Sequence, residues 1–476
     1  MAGYASLMKT LSAQPTDNVI DVNLIDKLPL TRLHWFWLGL AALAWLMESY
    51  DIGLIGVVLG PLQHLWHLGG SEVGIIVASG TIGVALGVLP AGRLADKVGR
   101  KRVMVLALIE YSMATVLTAW SPDWQWFVAL RLVAGIGLGA MFPLPYTMIA
   151  ELSPIGSRGR MAGMLDASLS FGYFMAPLAA FTATRLASGP MALHILFFIG
   201  GVGFFIAVLV AKYLPESPRW LAFNGRTAEA ELILHRMATS SRGRTPGGQS
   251  RVPRPAAAPV SREPKGILSS TYRRRTVMLW ISFPAILFMF YAIMTFMPMI
   301  LAREGLSVAE VDMVAAIIMG SSIPGKWAES WLVERVGRKP VIVGFSLIAA
   351  FAALVFPLMH GILGWLLVGL AFSFFGIAVD PAMKIYAAEQ YPTEMRGTGV
   401  GFAEAWARLL GGALAPYIMA IWLSRGGISI SFDFIAGVAV VGAIAVAWLG
   451  SETRDRSLEY RFRQDFVVGS AVSAKH

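Results

Sequence analysis

The chain has 476 residues, of which 56% are hydrophobic and only 14% charged, where a soluble protein carries about a quarter charged residues. That balance, with 49 glycines and 25 prolines, excludes an ordinary water-soluble globule and points to a polytopic helical membrane protein. The absence of cysteine excludes disulfides, thiolate nucleophiles and cysteine-ligated zinc, and the net charge of +10 has to be explained by where the basic residues fall.

Residues 1–32 are polar and mixed, with no apolar run after a basic start, so they read as a tail without a cleavable signal peptide. Apolar runs long enough to cross a bilayer then follow near 33–61, 72–91, 102–120, 124–150, 161–185 and 191–214. A polar segment, 215–275, interrupts them: 215–237 reads as a turn and a short amphipathic helix, and 240–266 as a disordered Pro-, Gly-, Ser- and Arg-rich linker. Six more runs fall near 276–301, 309–333, 340–359, 362–388, 397–423 and 430–450, before a polar tail, 451–476. The expected domains are therefore an N-terminal bundle, 33–214, and a C-terminal bundle, 276–450.

The two bundles repeat. Gly92–Arg102, GRLADKVGRKR, returns as Trp331–Pro340, WLVERVGRKP, so that Asp96, Gly99, Arg100 and Lys101 correspond to Glu334, Gly337, Arg338 and Lys339 at an offset of 238. Glu151…Arg158 and Glu389…Arg396 keep the same offset, which is half the chain, as a duplicated unit requires. Most Lys and Arg lie in the tails, the central segment and the loops holding these motifs, whereas the alternate loops carry Arg185, Arg303 and Arg425. Basic residues stay cytosolic, so both termini and all the motifs are expected in the cytosol of a plasma membrane. The basic charge is then a topology signal, and nucleic acid is not an expected partner.

GRLADKVGRKR and its echo, RLVAGIGLGA at 131–140, ELSPIGSRGR at 151–160, PESPRWL at 215–221 and SETRDRSLEY at 451–460 together resemble the major facilitator superfamily over nearly the full length. The resemblance implies an all-α membrane protein: twelve transmembrane helices in two parallel six-helix repeats around a central cavity that opens to either side in turn. PESPRWL and the SETRDRSLE tail resemble the sugar porters and related metabolite–proton symporters. Helices five and seven lack the Gln- and Asn-rich patterns of sugar porters, and the chain looks closer to the aromatic-acid and nicotinate branch. In the family, charged groups at the cytosolic motifs act as a gate, and here these are Gly92, Arg93, Asp96, Gly99, Arg100, Lys101, Glu151, Arg158 and Glu216, with Glu334, Gly337, Arg338, Lys339, Glu389 and Arg396 in the second half. An Asp and an Arg at the places of Asp51 and Arg131 form the coupling pair of proton-linked sugar porters; a static salt bridge is the plainer alternative. Glu48, one turn before Asp51, could share its role.

Other ionisable residues within the runs are candidate substrate ligands: Asp166, Lys326, Lys384, Glu404 and Arg408. Lys326 suits an anion, or else pairs with Asp166 or Glu404, and Asp380–Lys384 and Glu404–Arg408 can neutralise themselves at i, i+4. Tyr291, Tyr386, Trp406 and Tyr173 could stack on a flat substrate, and Pro298, Pro324 and Pro381 are expected to kink their helices. No nucleotide loop, HExxH or clustered histidines suggest an enzyme or a metal site. The expected protein is thus a monomeric, cofactor-free, proton-gradient-driven carrier of a small organic acid, with a sugar or polyol symporter, or an exporter of drugs or metabolites, as the alternative.

Overall fold

A computed structural model describes residues 25, 28–154, 157–187, 189–240, 266–391, 393–425 and 427–453. The expectations for the first 24 residues, for the linker over 241–265 and for the tail beyond 453 fall outside the described residues.

Twelve long helices follow one another: α1 (Arg32–Leu65), α2 (Gly70–Val98), α3 (Arg100–Thr118), α4 (Trp124–Leu152), α5 (Arg158–Leu186) and α6 (Pro190–Tyr213) in the first half. The second half holds α7 (Arg273–Arg303), α8 (Val308–Val336), α9 (Arg338–Leu358), α10 (Gly361–Glu389), α11 (Thr393–Ala407, then Arg408–Leu414 and Ala415–Arg425) and α12 (Gly427–Leu449). Eleven are long and apolar enough to cross a membrane. The remaining one, α3, carries Arg100, Lys101, Arg102 and Glu110, which dilute an otherwise spanning stretch. Two short helices, Pro218–Phe223 and Thr227–Ser240, occupy the start of the central segment.

Within a half the helices pack in the same pattern: α2 lies along α4, α1 along α5, α8 along α10 and α9 along α10 and α12. The halves meet where α1 touches α7, α2 touches α11 and α5 touches α8. Two π turns interrupt α7 and α11, at Ala292–Phe296 and Arg408–Leu414. The first has a cause in the sequence. Pro298 offers no N–H to the carbonyl of Met294, four residues earlier, and a local change of helical pitch accommodates the loss. Pro324 follows a break at Ser321 that divides α8 into Val308–Gly320 and Ser322–Val336, whereas α10 runs continuously through Pro381.

The end of the bundle carrying the charged motifs is called the motif end below, and the other the far end. At the far end Gly56 of α1 comes so close to the Met294 carbonyl of α7 that a Cβ would collide with it. Gly74 of α2 lies against the ring and backbone of Tyr417 in α11, and the Ser71 and Tyr417 hydroxyls are 3.3 Å apart. The halves therefore meet closely at the far end.

Candidate functional site: a charged cavity at the seam

At the motif end, the structure explains why the repeated loops carry Gly and paired charges. Gly99 and Gly337 both adopt φ +113°, a conformation that a side chain disfavours, and each starts the next helix immediately. The N–H of Lys101, in the first turn of α3, donates to both Glu216 carboxylate oxygens at 3.1 and 3.2 Å. The N–H groups of Arg338 and Lys339, opening α9, donate to Glu452 at 3.0 Å each. A carboxylate on unpaired helix-start amides is favoured by their orientation. Glu452 was missed in the sequence, although SET at 451–453 mirrors PES at 215–217 and could have shown it.

Arg100 pairs with Glu151 at 3.0 Å and with Asp96 at 3.5 Å; Arg338 pairs with Glu389 at 3.2 Å. Each of these pairs stays inside one half, so in this state they brace the helices of a half and do not bridge the two halves. Arg93 and Glu334 are exposed, Gly92 faces open space, and Arg158 reaches the Ser153 carbonyl at 3.5 Å. The side chain of Arg396 lies outside the described residues.

Deeper in the first half, Arg131 of α4 holds Asp51 of α1 at 2.9 Å, and Thr115 of α3 donates to the same carboxylate at 2.6 Å. Both charged side chains are buried. Glu48, fully buried one turn away, has no hydrogen-bond partner on either oxygen among the described residues. Beside this group lies a small cavity lined by Ile52, Phe142, Leu169, Tyr173, Phe290, Tyr291, Asp380, Lys384, Glu404 and Arg408, among others. Lys384 pairs with Asp380 at 2.8 Å and Arg408 with Glu404 at 2.9 Å, each within its own helix. The Arg408 guanidinium also stacks 3.5 Å above the Phe142 ring, and Tyr173 meets Phe290 edge-on at 5.0 Å. Arg408 opens the π turn of α11, which turns the following residues relative to a regular helix.

Asp166 and Lys326 do not line this cavity. They pair with each other across the seam, α5 to α8, at 3.2 Å, and the Tyr146 hydroxyl donates to Asp166 at 3.3 Å. Two aromatic candidates lie elsewhere. Tyr386 is buried, with its hydroxyl on the Ser451 carbonyl at the motif end, and Trp406 is partly exposed against Trp280. Helical spacing alone placed them near the site; the face they occupy on α10 and α11 points away from it. The offset of 238 also relates Phe142 to Asp380, Tyr146 to Lys384 and Asp166 to Glu404, so equivalent positions of α4 and α10, and of α5 and α11, gather around one seam.

The sequence profile of the Major Facilitator Superfamily matches residues 41–416 and 286–470. The chain belongs to this superfamily. It is 31% identical to the niacin transporter NiaP of Acinetobacter baylyi over 439 residues, covering 92% of this chain and 98% of that protein. It is 27% identical to a gallate transporter of Pseudomonas putida, over 91% of this chain and 95% of the relative. The crystal structure of a D-xylose–proton symporter superimposes with a TM-score of 0.72 at 18% identity, over 89% of this chain and all of that one. As a Major Facilitator Superfamily member the protein is a multi-pass membrane transporter of a small organic molecule and not an enzyme, and its twelve helices form two six-helix repeats about the central cavity.

Proposed function

We propose that the protein is a proton-driven symporter that imports a small aromatic carboxylate across a bacterial inner membrane, with the motif end and both termini in the cytosol. The observation that carries this reading is the lining of the cavity: two cations, Lys384 and Arg408, share it with Tyr173 and Tyr291, and Ile52 next to Asp51 forms part of its wall. The relatives' names support it, since niacin and gallate are each one ring bearing one carboxylate. A planar ring fits between aromatic side chains, and a carboxylate suits a guanidinium that can grip it with two parallel N–H groups.

In this reading the incoming carboxylate shares Arg408 and Lys384 with Glu404 and Asp380 and does not displace them, so that each buried carboxylate keeps a cation beside it. Proton uptake by Asp51 releases Arg131 and loosens the tie among α1, α3 and α4. In this reading the work comes from the proton gradient. The close contact at the far end corresponds to a state that faces or is closing toward the cytosol.

Uptake of nicotinate, benzoate and hydroxybenzoates into proteoliposomes tests the reading. The wild-type protein should accumulate the acid when the pH outside is lower, whereas Asp51→Asn should lose accumulation while retaining exchange of labelled for unlabelled acid. Accumulation by Asp51→Asn equal to wild type would overturn the coupling assignment. Transport of pentoses in place of the acids would overturn the substrate assignment.

A further inference from the structure

Glu329 has no part in the function just described. It lies on α8, one helical turn beyond Lys326, and although it sits only seven residues before Val336 it is 1% exposed. The Ser330 hydroxyl donates to one of its carboxylate oxygens at 3.2 Å; the other, Oε1, is buried with no hydrogen-bond partner among the described residues. The charged groups around it include Lys326 on its own helix, Asp166 on α5 and Asp380 on α10. The one cation among them, Lys326, is held by Asp166 of the other half. A carboxylate buried without its own cation and with an empty acceptor is very unfavourable as an ion. Its neutral acid form removes that cost.

We propose that Glu329 is a second proton-binding site of this transporter, whose deprotonation on the cytosolic side draws Lys326 away from Asp166 and unlatches the seam between α5 and α8. The proton leaves the Glu329 carboxyl for cytosolic water. Lys326 keeps its charge throughout and exchanges the Asp166 carboxylate for the Glu329 carboxylate, three residues along its own helix and so on neighbouring turns of one face. Asp166, left behind, retains the Tyr146 hydroxyl and gains water as the seam opens. The pair is placed for this task. Asp166 lies eight residues inside the start of α5, about 12 Å from the motif end, so the bridge closes the cytosolic part of the seam above the braced motifs. The proposal rests on the cytosolic orientation given above but not on the identity of the substrate.

The chain has no native cysteine, so two introduced cysteines can carry nitroxide labels without background. Gly163→Cys in α5, where a Cβ meets nothing within 4 Å, and Glu334→Cys in α8 are both exposed near the motif end. Distances between them are measured by double electron–electron resonance in substrate-free nanodiscs across a pH series. The expected result is a shift from a short to a long distance as pH rises, a loss of that shift in Glu329→Gln with the short distance retained, and a long distance at every pH in Asp166→Asn. The Asp51→Asn background should keep the shift. A Glu329→Gln protein that follows the wild-type curve, or a shift abolished by Asp51→Asn alone, would overturn the proposal. If Glu329→Gln fails to fold, the Asp166→Asn protein still decides: a pH-dependent distance in that variant contradicts the latch. Since no substrate is present, failure here is separable from failure to transport aromatic acids.

Discussion

At the residue scale, the cavity's ions are arranged so that most of them can share a partner without being stranded. Arg408 is the clearest case. Its guanidinium is buried, bonded to Glu404 and stacked on Phe142 of the other half, so it joins an acid, an aromatic face and the cavity wall. A hydrogen bond to a charged group contributes about 1.5–3 kcal/mol, or roughly 10- to 150-fold in affinity at 1.4 kcal/mol per factor of ten. Arg408→Gln should therefore weaken binding of nicotinate or benzoate by that order, measured by isothermal titration. Arg408→Lys should recover part of it, since the charge returns while the planar fork and its stacking do not. Equal affinity in all three proteins would place the carboxylate elsewhere, with Lys384 as the next group to test.

At the element scale, the two halves solve the same problem in the same way: a short loop must start a new helix at the motif end without leaving its first amides bare. Glu216 serves α3 and Glu452 serves α9. Replacing either with Gln keeps a hydrogen-bond acceptor but removes the charge, a loss of about 0.3–2 kcal/mol for a carboxylate at a helix start. The two sites lie on different helix starts in separate halves, so the costs in Glu216→Gln and Glu452→Gln should add in the double variant. Thermal unfolding in detergent checks both magnitude and additivity; a double variant no less stable than the worse single one would contradict the independent roles. These elements also show what the sequence could carry. All twelve spans were legible because membrane length and the spacing of charge are strong one-dimensional signals, and the motif pairs Arg100–Glu151 and Arg338–Glu389 follow from the duplicated loops. The partners of Lys326, by contrast, depend on which face of α8 meets α5, which residue spacing alone does not fix. Of the two π turns, that of α7 has a local signal in Pro298, whereas that of α11 has none.

At the scale of the whole molecule, transport requires that the close contact now at the far end be breakable, and its chemistry fits that need. No side chain interlocks at the closest approach: Gly56 offers only a Cα to the carbonyl that Pro298 leaves without its helical donor. The contact is close in this state and loses little when it opens, since a backbone face of this kind gains only weak Cα–H···O attraction, about 0.5–1 kcal/mol each. A side chain at this position changes the balance between the two states rather than the stability of either half. A Cβ on residue 56 would strike the Met294 carbonyl, with the Met294 carbonyl carbon at 3.1 Å and the Thr295 Cα at 3.3 Å, and these are backbone atoms that cannot swing aside. Overpacking of this sort costs about 1–3 kcal/mol where the atoms cannot part, but here they can, by rocking the halves. Gly56→Val should therefore hold the far end open: affinity for an external acid is retained, and turnover falls sharply because closure fails. Nitroxides on Leu65→Cys and Glu304→Cys, both exposed at the far end, should report a longer distance than in the wild-type background. A distance unchanged by Gly56→Val, with transport intact, would show that α1 and α7 do not close by the approach of their backbones.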